Sequence, residues 1–216
     1  MVAASHASLR SCLFGLPVHI ASLSSDSWAS VGDSISLEST YTGEYAIVAD
    51  ANTRKTEQVY LHNIDIAMTV DFETLFNVEG GTLFAYVLGN GGGSPSEFAG
   101  DFQGISNIDA PDTWKLYEFW YQQTWTDERH SLLFGLYDFN SEFDVVETSG
   151  LFLNSSFGIG AEVAQSGENG PSIFPTTSLA LRAFTSLDNG VYVRAVAMDG
   201  VPGDPNDTHG TKIKLR

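Results

Sequence analysis

One cysteine, Cys12, is all that the 216 residues contain, so the chain has no disulfide framework and no thiolate metal site. Basic residues are scarce as well: 10 Lys and Arg stand against 27 Asp and Glu, a net charge of −17. So acidic a chain cannot neutralise a run of phosphates, which excludes nucleic acid as a partner. It also lacks the clustered cations that hold a protein to anionic headgroups. No apolar run approaches the roughly 18 residues of a spanning helix, and no helical period is sustained beyond the N-terminus. A G-x-S-x-G elbow and an H-E-x-x-H pair are both absent, and the five histidines are scattered. "GNGGGSPSEFAG" (89–100) misses the Lys-Ser/Thr of a phosphate loop, and "DGVPGDPNDTHG" (199–210) misses the ligand spacing of an EF-hand. No catalytic residue, metal or cofactor is expected, and the chain is not read as an enzyme.

What is present begins with "SLRSCLFGLPVHIASLSSDSWA", where Arg10 precedes a short apolar stretch and small residues follow. Residues 1–29 are therefore read as a signal-like export segment, with cleavage near Ala21 or Ala29. Beyond it, strand patterns fall near 34–48, 57–72, 81–90, 113–125, 130–139, 178–187 and 190–199, with an incomplete one at 209–216. The connections alternate strictly between short and long, the long ones being 91–112 and 140–177. Outer-membrane barrels do this, with tight turns on one rim and long loops on the other.

The two faces of the strands agree. In "YLHNIDIAMTVDF" (60–72), Ile64, Ile66, Met68, Val70 and Phe72 share one face, while Asn63, Asp65, Thr69 and Asp71 share the other. Ile35, Leu37, Tyr41, Tyr45 and Ile47 likewise oppose Ser36, Glu38, Thr40, Thr42 and Glu44. Tyr117, Phe119 and Tyr121 oppose Glu118, Trp120 and Gln122. Charged residues at the centres of neighbouring strands call for a wet interior, so the apolar face is expected against lipid. The rival reading is a secreted β-sandwich that binds a glycan, with the same polar face in solvent.

"YTGEY" (41–45), "QGISNIDAPDTWKLYEFWYQQ" (103–123), "GLYDFNSEFDVVETSGLFLNSSFGIG" (135–160), "NGPSIFPTTSLALR" (169–182) and "AVAMDGVPGDP" (195–205) resemble the carbohydrate-selective porins of the OprB family. The likeness runs from about Ser34 to Pro205. It implies an all-β, antiparallel transmembrane barrel of roughly sixteen strands in the bacterial outer membrane, passing glucose and other small neutral sugars by diffusion. It also implies long extracellular loops folded into the channel, and a monomer or a trimer. Seven to eight strands cannot close around such a loop, because an eight-stranded interior is filled by its own side chains. Residues 30–216 are accordingly expected to be the N-terminal half of a porin barrel, or else a truncated, non-functional fragment of one.

Sugars present hydroxyls and apolar C–H faces, so a path for them needs charged groups and aromatic rings close together. Glu118, Trp120, Gln122, Arg182, Phe184 and Arg194 are the expected path, with Asp65 also in the lumen. The loop 140–177 is expected to turn inward and set Glu142, Asp144 and Glu147 opposite Arg182 or Arg194. That constriction would admit neutral sugars and disfavour anions. A Glu118–Arg182 pair is the structural alternative for those two residues.

Overall fold

The computed structural model describes residues 18–32, 34–50, 55–101, 103–125 and 128–215, with backbone alone for residues 18–25, 28, 30, 31, 50, 55 and 147. Eight strands form one antiparallel sheet in sequence order. They are β1 Val18–Val31, β2 Ile35–Asp50, β3 Lys55–Asp71, β4 Gly81–Gly92, β5 Thr113–Trp125, β6 His130–Tyr137, β7 Ser178–Ser186 and β8 Tyr192–Met198. Among the described residues no pairing joins β1 to β8, so the sheet is an unclosed stretch of barrel wall. A single sheet has no second sheet to pack on, which removes the sandwich reading.

Strands β2 to β8 lie where the alternation of the sequence places them. Two differences stand at the ends. From Val18 on, the stretch read as an export signal pairs with β2, from Val18 opposite Val48 to Val31 opposite Ile35; residues 1–17 lie outside the described residues. No strand forms at 209–215, despite its alternation. That segment is carried across to β5 instead, where the Gly210 N–H donates to Thr113 Oγ1 (2.8 Å) and the Thr211 hydroxyl to the Leu116 carbonyl (2.9 Å). Alternation alone does not make a strand, and here the contacts to β5 hold the segment away from the free edge of β8.

The connections 32–34, 72–80, 126–129 and 187–191 share one end of the sheet; the long ones, 93–112 and 138–177, share the other with 51–54, whose four residues break the expected strict alternation of short and long. In the turn between β7 and β8, Gly190 takes φ +80°, the left-handed conformation that a side chain disfavours. Asp71 closes β3 by capping α1 (Phe72–Phe76), accepting from the Glu73 N–H at 2.9 Å and from Thr74 Oγ1 at 2.6 Å.

Register sorts the faces. Asp71, Thr82, Gln122, Leu133, Arg182 and Val196 lie opposite one another across β3 to β8, so all share the inner face. Residues one position on look outward, and there large apolar side chains are bare: Phe134 is 61% exposed and Leu181 50%. Buried hydrophobic residues sit instead between the inner face and the long loops. Ala46 and Val59 pack on Leu153 of the loop, while Leu133, Tyr137 and Ala180 pack on Phe143. The molecule is apolar outside and charged inside.

Aromatic rings mark both edges of the outer face. Toward the long loops Tyr41, Tyr60 and His62 stack with centroids 5.9–6.2 Å apart, and Trp114 covers Gly89, where a Cβ would meet the indole at 2.8 Å. Toward the short turns, Phe72 meets Tyr121 (5.4 Å) and Trp125 stands exposed. At about 3.3 Å per residue and a tilt near 40°, Trp114 to Trp125 spans roughly 28 Å along the axis of the wall, close to the ~25 Å height of a barrel's apolar band.

One expected face assignment fails. The β4–β5 register shifts between Tyr86 and Val87, opposite Glu118 and Leu116, so β5 carries an extra residue at Tyr117. The bulge turns Tyr117 inward, 2% exposed, with its hydroxyl donating to Asp138 Oδ2 at 2.7 Å.

Candidate functional site

Loop 138–177 leaves β6 at Tyr137, and its first residues lie on the inner face. Asp138 accepts from Tyr117 and from the Asn140 N–H (2.8 Å), which starts a 3-10 turn over Phe139–Ser141 and delivers Glu142 to the arginines. The return limb is clamped too: the Ser172 hydroxyl donates to the Tyr137 carbonyl (2.6 Å) and accepts from the Ser178 N–H (2.7 Å).

Arg182, 3% exposed, is the centre of what results. Its Nη1 donates to Ser131 Oγ (2.5 Å), and its Nη2 to Gln122 Oε1 (2.6 Å) and Glu142 Oε1 (3.0 Å); Nε lies 2.8 Å from Glu142 Oε2. The same carboxylate accepts from the Tyr137 hydroxyl (2.7 Å) and stands 3.5 Å from Arg194 Nε. Arg194 donates to the Glu142 carbonyl (2.6 Å), and its guanidinium lies over Phe143, Phe184 and Tyr192 at 5.6–5.7 Å from each ring centre. These groups border an open cavity of about 800 Å³ lined by Gln122, Ser131, Glu142, Arg182, Phe184 and Arg194. Two guanidinium groups share one carboxylate, and Glu73, Glu79 and Glu128 line the rest of the cavity, so its wall carries four carboxylates against two arginines.

A family model described as carbohydrate-selective porin, OprB family, matches residues 55–216. The chain belongs to the OprB family. Among solved structures, OprB of Pseudomonas putida superposes with a TM-score of 0.66 at 17% identity, over 77% of this chain and 41% of that one. At that identity the likeness speaks for the fold. The chain spans less than half the length of that porin. No curated protein sequence matches the chain. OprB is a family of porins rather than of enzymes, and its members are outer-membrane proteins; the bare apolar face with its two aromatic edges has the composition of a barrel's outer band.

On this OprB wall the expected residues are distributed unevenly. Gln122, Arg182, Phe184, Arg194 and Glu142 come together as described. Glu118 points inward but does not reach Arg182; it accepts from Trp120 Nε1 (3.0 Å) and the Asp138 N–H (3.1 Å). Trp120 stacks on Phe84 at 4.9 Å, beside the cluster rather than in it. Asp65 lies further along the wall, accepting from the Tyr86 hydroxyl at 2.5 Å. Asp144 does not face the arginines. It has a left-handed backbone (φ 56°), which turns the chain away after Glu142, and its Oδ2 accepts the Gly160 N–H at 2.8 Å. Glu147 opens a 3-10 turn, Glu147–Leu151, and its side chain lies outside the described residues.

Sequence reasoning missed Ser131 and Tyr137, because β6 is apolar on both faces and alternation alone could not assign it. It missed Phe143 and Tyr192 because a cation's aromatic neighbours lie on other elements, and only register and loop path bring them in.

Proposed function

We propose that this OprB-type wall lines a pore for passive diffusion of small neutral sugars into the periplasm, and that the Arg182–Glu142–Arg194 cluster is its narrow part. One observation carries the reading: a loop of forty residues lies on the inner face and sets a carboxylate between two arginines of the wall. Guanidinium, carboxylate and amide groups match sugar hydroxyls as both donors and acceptors. Phe184 and Tyr192 offer surfaces for the C–H faces. Each contact is weak enough singly that the solute leaves again.

The charge of the lining supports the expected selectivity. With four carboxylates against two arginines the wall of the cavity is net negative, so anions are disfavoured while neutral sugars are favoured by hydrogen-bond matching. Liposome swelling with the intact protein tests the proposal. Glucose should enter faster than an uncharged solute of equal size that lacks ring hydroxyls. Equal rates for both would reduce the cluster to a plain sieve and defeat the reading.

A further inference from the structure

Lys115 is the one cation of the inner face without a carboxylate partner among the described residues. It projects inward from β5 and is 6% exposed. Its Nζ donates to Thr176 Oγ1 (3.2 Å) and to the Thr208 carbonyl (3.4 Å), both neutral. An ammonium has three protons to donate, and buried lysines are almost always paired. The other charges nearby cancel: Lys212 stands 2.8 Å from Asp207, and Lys214 pairs with Asp204. One buried positive charge therefore remains without a counter-charge.

That charge borders a cavity. Loop 138–177, the segment 203–212 and the top of β5 enclose about 370 Å³, within the roughly 300–1,000 Å³ usual for small-molecule sites. Lys115, Asn169, Thr176 and Thr208 supply polar groups to its wall, Asp207 and Asp204 border it already paired with Lys212 and Lys214, and Phe174 and Pro175 supply flat apolar surface. This cavity lies apart from the Arg182 cluster and shares no lining residue with it.

We propose that this cavity binds a monoanionic sugar acid, an aldonate or uronate, through a carboxylate seated on the Lys115 ammonium. A single unpaired positive charge balances a single negative one, which favours a carboxylate over a phosphate dianion. The amide and hydroxyls receive the sugar's hydroxyl groups, and Phe174 receives its C–H face. The site would hold an acidic sugar at the mouth of the channel, independently of how neutral sugars pass the constriction.

The test is calorimetric titration of the intact protein in detergent at low salt with D-gluconate, D-glucose and glucose 6-phosphate. Gluconate should bind more tightly than either of the others. Lys115→Met should weaken gluconate by about ten-fold or more while leaving glucose unchanged. Should that variant fail to fold, Thr208→Glu serves: the exposed position tolerates the change, and the new carboxylate would occupy Lys115 and abolish gluconate binding. Gluconate binding that survives Thr208→Glu, a wild type that prefers glucose or glucose 6-phosphate, or no gluconate binding at all would each overturn the proposal.

Discussion

Glu142 and Arg182 meet across forty residues of sequence, the carboxylate Oε1 accepting from Nη2 at 3.0 Å while Oε2 lies 2.8 Å from Nε. The arginine side chain is 4% exposed and the glutamate 25%, so removing the carboxylate leaves a nearly dry cation. Breaking such a pair costs about 3–5 kcal/mol when one partner is removed. Glu142→Gln should therefore lower the thermal midpoint of the intact protein and leave the two guanidinium groups without the carboxylate they share. Reversal potentials in a salt gradient should move toward chloride. An unmoved reversal potential would place Glu142 outside the conducting path.

Arg182→Ala and Trp120→Ala should separate. Arg182 touches Gln122, Ser131 and Glu142 at the cavity, whereas Trp120 is engaged by Phe84 and Glu118 beside it. The arginine variant should lose the advantage of glucose over similar uncharged solutes in liposome swelling. The tryptophan variant should keep most of it. Equal loss in both would extend the sugar path to Trp120, and no loss in either would remove both residues from it.

The wall was legible in the sequence because alternation is a local property. Ile64, Ile66 and Met68 on one side and Asn63, Asp65 and Thr69 on the other needed only period two. The register keeps them so: Asp65 lies opposite Thr40 on β2 and Leu88 on β4. Tyr117 escaped because one extra residue in β5 reverses the phase, and no residue type announces that bulge. At the site, Arg182, Arg194 and Glu142 were readable as charges with no other reason to be there. Asp144 and Glu118 were not separable from them in sequence. Which acid reaches an arginine is decided by a left-handed residue two positions past Glu142 and by the Asp138 N–H, and both are features of the loop's path.

Ile66 and Asp65 give the sharpest test of which face meets lipid. Ile66 is 37% exposed on the outer face, and an arginine there near the midplane should cost roughly 2–4 kcal/mol. Asp65→Asn keeps an acceptor for the Tyr86 hydroxyl and should cost about 1 kcal/mol or less. Unfolding of the intact protein in lipid vesicles would measure both. Similar costs at the two positions would reverse the assignment of faces.

Acid should loosen the segment 203–212 before the wall. The Lys212 ammonium beside Asp207, helped by the His209 backbone N–H, pulls that carboxyl down to about 2. A carboxyl depressed on folding contributes stability that is fully present above its unfolded value, near 4, and lost as pH falls through the folded one. The window is thus about pH 4 down to 2. Hydrogen exchange at the Gly210 amide, held by Thr113, should accelerate across that range while amides of β3 and β4 stay protected. Simultaneous acceleration in both would mean that the segment has no separate opening.

Residues 145–170 allow the inserted loop to be tested apart from the ion pair. Within them Leu153 packs on Ala46 and Val59 of the wall, Asn154 Nδ2 donates to the Gly104 carbonyl (2.7 Å), and Ser155 Oγ donates to the Ser106 carbonyl (2.9 Å). Glu142 and the Ser172 clamp lie outside the segment, so a deletion joined by a short Gly-Ser linker keeps both. Loops of this length without regular structure are usually functional, and this one fills interior space beside β2 and β3. Its removal should raise single-channel conductance several-fold, while the charge preference set by Arg182, Arg194 and Glu142 stays as it was. Conductance that does not change would place the loop on the rim. A charge preference that shifts with the deletion would mean that the loop, rather than the ion pair, sets the selectivity of the pore.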